Sequence, residues 1–191
     1  MNGGGAVGVR SLATLAVELV LLADYWRADC DERTDIGRLV HRAKDQDDPE
    51  AATELADRFA GLAGSLPDTP GGSDRLVVPV PPTQPAAETV GELLVDALAR
   101  SLAAAGAGEY RSDLVDRTAV TPRLRNVDPQ QRTEIAAAAG YRASDAAAGR
   151  HIVVVDDVIL TGTTVSAVAA CLRDAGAASI TAAVATRTRL R

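Results

Sequence analysis

Between residues 12 and 26 apolar positions recur at helical spacing. Leu12, Leu15, Leu19, Ala23 and Trp26 form one stripe, and Val17, Val20 and Leu21 make the opposite side apolar too. The pattern predicts a helix that needs covering on both sides. Ile36, Leu39, Val40 and Ala43 give a second, shorter stripe. Asp48-Pro49-Glu50 then sets a capping side chain, a first-turn proline and an acid at the start of a third helix, which buries Ala52, Leu55, Ala56, Phe59 and Leu62. The stretch from Pro67 to Ser73 breaks all periodicity and reads as a connection.

From residue 76 onward short apolar runs alternate with longer helical ones, the mark of a parallel sheet flanked by helices. Leu76 to Val80 reads as a strand, followed by Val90, Leu93, Leu94, Ala97 and Leu98 at helical spacing. Tyr110 to Val115 reads as a further strand, and Asp128-Pro129-Gln130-Gln131 as the start of a helix reaching Ala139. Ile152 to Val155 is continuously apolar, as in a strand covered on both faces. A helix from about Thr164 stops at Gly176, and Ile180 to Ala185 returns as a last strand. The expected fold is α/β: a mainly parallel sheet flanked by helices, with an N-terminal helical hood over residues 1–73 packed on a core of residues 74–191 as one compact unit.

Composition narrows the partners. The chain has 191 residues, 47% hydrophobic and 24% charged, as expected of a folded globular protein. Its net charge of −6 disfavours direct nucleic-acid binding, which normally rests on a basic face. Cys30 and Cys171 match no metal-ligand spacing and read as reduced thiols of a cytoplasmic protein. Leu12 to Ala23 carries Thr14 and Glu18 and falls short of the roughly 20 residues of a membrane span. Lys44 is the sole lysine among many arginines, a bias that carries no functional weight by itself.

Gly3 to Gly8 matches GxGxxG by letter, but no strand precedes it to deliver a dinucleotide, so it reads as a flexible terminus. Asp45, Asp47 and Asp48 lack the glycine and distal glutamate of a calcium loop and read as the approach to a helix. The stretch HIVVVDDVILTGTTVSAV at 151–168 stands in a different context. There a buried strand ends on Asp156 and Asp157, at the sheet edge where ligands bind in open α/β folds. Thr161, Gly162, Thr163 and Thr164 follow with backbone NH groups and hydroxyls at a helix start, a cradle for phosphate. The lysine and first glycine of a nucleoside-triphosphate loop are missing. Two carboxylates beside a phosphate repel it unless the ligand also brings hydroxyls or a metal, and a ribose 5-phosphate moiety with Mg²⁺ nearby meets both needs. Plain turn capping by the same residues is the competing account.

VVVDDVILTGTTV at 153–165 resembles the phosphoribosyl pyrophosphate (PRPP) signature of type I phosphoribosyltransferases. The resemblance implies that Asp156 and Asp157 hold the ribose hydroxyls, directly or through Mg²⁺, and that Thr161, Gly162, Thr163 and Thr164 bind the 5-phosphate. Within that family VPVPPT at 78–83 and LVDRTAVTPRLRNVDPQQR at 114–132 are most similar to the ComF-type (competence protein F-like) branch, as is DIGRLVHRAKDQDDPEAATELADRFA at 35–60. Neither that branch's N-terminal cysteine cluster nor its arginine-rich loop after the VPVP strand is present, so the loop over pyrophosphate looks truncated. Pro81, Pro82, Thr83, Arg117, Arg123 and Arg125 are the pyrophosphate candidates, the arginines set against an ordinary solvated loop. Leu160 stands where hypoxanthine-guanine enzymes carry an aspartate, and Lys44 lies in the wrong region for the mobile lysine of orotate enzymes. His151 reads as a strand-edge residue and His41 as a helix-face one, Tyr141 and Arg142 are candidates beside the acceptor pocket without an assigned role, and no general base stands out.

The implied activity is transfer of 5-phosphoribose from PRPP to an unidentified acceptor with release of pyrophosphate, the N-terminal helices serving as hood or homodimer surface. A non-catalytic PRPP-responsive regulator or accessory protein of DNA uptake is the rival, and a helical partner-binding module a third reading.

Overall fold

The computed structural model describes residues 8–11, 17–69, 75–82, 89–118 and 140–189. Their strands, in chain order, are β1 (Gly8–Ser11), β2 (Glu18–Asp24), β3 (Arg75–Pro79), β4 (Glu109–Tyr110), β5 (Val115–Arg117), β6 (Tyr141–Ala143), β7 (His151–Ile159) and β8 (Ser179–Arg187). The helices are α1 (Asp35–Asp45), α2 (Pro49–Ala60), α3 (Val90–Leu102) and α4 (Thr163–Asp174).

Six strands form one sheet in the order β1-β2-β8-β7-β3-β4, and β5 and β6 form a separate antiparallel pair. All neighbours from β2 to β4 run parallel, and only β1 is antiparallel. The mainly parallel sheet flanked by helices is the fold class the sequence predicts.

One expected element is overturned. The helix over 12–26 is instead a strand in its described part: Glu18–Asp24 is β2, hydrogen-bonded to β8. Leu19 and Leu21 pack on one face of the sheet and Val20 on the other, so the two-sided apolar pattern belongs to an interior strand. Gly8, expected in a flexible terminus, opens β1. The strand expected over Tyr110 to Val115 is two short ones, β4 and β5, separated by a turn. The helix expected over 128–139 lies outside the described residues.

Helices α1, α2 and α3 cover one face. Their Leu39, Val40, Leu55, Phe59, Leu94 and Leu98 pack with Val77, Val153, Val155 and Ala183 of the sheet. On the opposite face α4 sets Val168 and Leu172 against Ile152 and Val154, with Leu114 and Val115 beside them. The expected capping of α2 holds: Asp48 accepts hydrogen bonds from the Glu50 and Ala51 amides at 3.0 and 3.1 Å, with Pro49 in the first turn.

Chain direction turns at the centre of the sheet. From β3 the chain passes through α3 on one face to β4 on the outer side; from β7 it passes through α4 on the other face to β8. The carboxyl ends of β3 and β7 therefore flank the switch point at which a parallel sheet opens a crevice.

Candidate active site

Asp156 and Asp157 stand near the carboxyl end of β7, with Leu160 to Gly162 turning the chain into α4. Gly162 takes the left-handed conformation, φ 79°, and precedes the first helical residue. Only glycine reaches that geometry without steric cost. No side chain caps this helix start. The Ser166 amide is bonded to the Gly162 carbonyl at 2.8 Å, so the amides before it are the ones left facing the turn. Thr161 is exposed and its hydroxyl is 2.7 Å from that of Thr163. The turn thus gathers NH and OH donors at the positive end of a helix, an arrangement suited to an anion.

The two carboxylates occupy different surroundings. Asp156 is half-buried, and its Oδ1 accepts a hydrogen bond from the Asp157 amide at 2.9 Å. Crowding by protein, then the neighbouring Asp157 charge, pushes the Asp156 carboxyl up to about 7 against the pull of Lys44. Asp157 is only 3% exposed. Its Oδ2 is in ion-pair contact with the ammonium of Lys44 from α1, yet no donor meets that buried oxygen at hydrogen-bonding angles. Its backbone carbonyl takes a long hydrogen bond, 3.4 Å, from the buried Thr186 hydroxyl.

The helical layer therefore supplies a cation to the acidic pair that sequence reasoning missed. Lys44 sits in the last turn of α1, far along the chain from β7, and only the fold brings them together. The one hint in the sequence was that it is the sole lysine.

Beside Asp156 lies the β5–β6 pair. Arg117 and Tyr141 are cross-strand partners, with the guanidinium 5.7 Å from the ring centre. Burial raises the Tyr141 phenol above its ordinary value, opposed by Arg117 and reinforced by the Asp156 charge. So Tyr141, given no role from sequence, neighbours the acidic pair, while Arg142 is exposed. Thr118 bonds back to the Gly140 carbonyl through both its amide, at 3.0 Å, and its hydroxyl, at 2.5 Å.

Pro81 and Pro82 follow β3 across the switch point. Thr83, Arg123 and Arg125 lie outside the described residues. His41 pairs with Asp45 at 2.9 Å and His151 with Ser179 at 2.7 Å, the latter at the start of β7, the end away from the acidic pair.

A family model described as phosphoribosyl transferase domain matches residues 51–189. The chain belongs to this family. The match spans the sheet from β3 onward, the acidic pair and the α4 turn, and begins inside α2, after Lys44. A comparison with curated proteins finds none that matches. Among the described residues no helix is long and apolar enough to cross a membrane.

Proposed function

We propose that the protein binds PRPP and transfers its 5-phosphoribosyl group to an acceptor, releasing pyrophosphate. Membership of the phosphoribosyl transferase family supports phosphoribosyl transfer in general. The observation that carries the assignment to this site is that one loop at the switch point joins an acidic pair to an uncapped helix start. In this reading the amides and hydroxyls of Thr161 to Thr164 hold the 5-phosphate, and Asp156 and Asp157 accept hydrogen bonds from the ribose hydroxyls. Arg117, Pro81 and Pro82 are assigned to the pyrophosphate in the same reading.

The donor set fits a hard divalent cation: two adjacent carboxylates, one carrying a buried oxygen that no hydrogen bond satisfies. Asp156 and Asp157 would hold Mg²⁺ here, and the bound ion would supply positive charge to offset that of the pyrophosphate leaving group. The chain's own contribution is positional. Gripping the phosphate at one end and the hydroxyls at the other fixes the anomeric carbon between leaving group and acceptor. The carboxylates then face the positive charge that grows on the ring in an oxocarbenium-like transition state.

The ComF-type branch is the proposed subfamily, supported by VPVPPT and by the 114–132 segment. The alternative is a non-catalytic PRPP-responsive regulator or accessory protein. It is favoured by the short connection from β3 to α3, residues 80–89, which leaves little chain to cover pyrophosphate.

Calorimetric titration of PRPP with and without Mg²⁺, on wild type and on the Asp156→Asn, Asp157→Asn double variant, tests the reading. Magnesium-dependent binding that disappears in the variant is expected. Absence of PRPP binding to the folded wild type overturns it, and binding without pyrophosphate release for any acceptor supports the regulator.

A further inference from the structure

The Lys44 side chain remains one-third exposed, whereas that of its partner Asp157 is 4% exposed. A buried carboxylate beside a second one calls for a cation, and this chain supplies it from another layer of the fold. The lysine's backbone is fixed from outside its own helix. Gly91 of α3 lies against Lys44 so closely that a β-carbon on the glycine would meet the Lys44 carbonyl oxygen at 2.5 Å. Asp47, in the left-handed conformation at φ 57°, accepts a hydrogen bond from the Gly91 amide at 3.3 Å. The clamp holds the backbone, and the side chain reaches from it to Asp157.

Residue type points the same way. Of the 20 Lys and Arg residues this one alone is lysine. An arginine would grip a carboxylate with a rigid two-pronged fork, while an ammonium on a four-carbon stem is a point charge that a stronger cation can replace. The ion pair here lacks even an aligned hydrogen bond.

We propose that Lys44 is the resident counter-ion of the acidic pair, a positioning residue that occupies Asp157 in the ligand-free protein and yields it to an incoming divalent cation. Cation affinity is then set by competition with this ammonium. The inference rests on the reading that the pair accepts a divalent cation, and its test needs no PRPP.

Mn²⁺ alone is titrated into the full chain, with bound metal followed by electron paramagnetic resonance. Lys44→Met is expected to bind Mn²⁺ at least tenfold more tightly than wild type, and Lys44→Arg no more tightly than wild type. A Lys44→Met affinity within twofold of wild type, weaker binding or no uptake overturns the proposal. Should Lys44→Met fail to fold, the Lys44→Met, Asp157→Asn double variant decides: a counter-ion role requires that the second change restore folding, and an unfolded double variant refutes it. Failure of wild type to bind PRPP while Lys44→Met still tightens Mn²⁺ removes the substrate assignment and leaves the counter-ion in place. The reverse pattern removes only the counter-ion.

Discussion

Gly91 and Lys44 touch backbone to backbone, joining the start of α3 to the end of α1, with only 2.5 Å between a β-carbon built on the glycine and the lysine carbonyl oxygen. Any side chain at residue 91 must push the two helices apart. Gly91→Ala is expected to destabilise the protein by about 1–3 kcal/mol, the usual cost of overpacking. Thermal unfolding should show this as a loss of several degrees. An unchanged midpoint would mean that the α1–α3 contact yields freely and does not fix Lys44.

Asp156 gives a pH dependence whose sign follows from its raised carboxyl. Its value in the fold, about 7, lies above the ordinary 3.8, so its proton is bound more tightly in the folded state. The stability it contributes is full below pH 3.8 and is lost as the pH rises through about 7. Asp156→Asn removes that penalty. The ligand-free variant is expected to melt a few degrees above wild type at pH 8, the advantage shrinking toward pH 5. Melting curves across this range check it, and equal midpoints at pH 8 count against the crowding described for this carboxyl. The same substitution weakens PRPP binding in the proposed function, so stability and binding should move in opposite directions.

How much of this was legible in the chain depends on where each signal lies. β7 was readable because a continuous apolar run ending in two acids has few other homes, and α2 because Asp48-Pro49 is a local capping device. β2 was misread for a physical reason. Leu19, Val20 and Leu21 are apolar on every side because sheet faces cover them both ways, and an all-round apolar helix produces the same letters. Strand length would have arbitrated, but nothing in the letters marks its start at Glu18. Lys44 was invisible as a site residue because its partner lies on another element, 113 positions later in sequence, and no local spacing encodes that contact.

Cys171 offers a check on the packing of α4. Burial, with the Asp174 charge adding to it, pushes the thiol up to about 11, and its Sγ leans on the Val168 carbonyl at 3.1 Å. The thiolate is the reactive form. In a Cys30→Ser background, labelling of Cys171 at pH 8 should be slow and rise close to tenfold per pH unit until about pH 11. Rapid labelling at pH 8 would show that α4 does not shield this thiol.

The phosphate cradle makes the most direct prediction about substrate. If the α4 start holds the 5-phosphate, PRPP and ribose 5-phosphate share that contact, while pyrophosphate does not depend on it. Thr163 is half-buried in the first turn of α4, its hydroxyl paired with that of Thr161. A hydrogen bond to a charged group is worth about 1.5–3 kcal/mol, roughly a ten- to hundredfold change in affinity. Thr163→Val keeps the branched shape and removes the hydroxyl. It is expected to weaken PRPP and ribose 5-phosphate by a similar factor of about ten and to leave pyrophosphate unaffected. Isothermal titration of the three ligands separates the outcomes. Loss confined to pyrophosphate would put the leaving group, and not the sugar phosphate, at the helix start. That result would reverse the orientation of the ligand across the sheet edge while leaving the acidic pair in contact with its ribose.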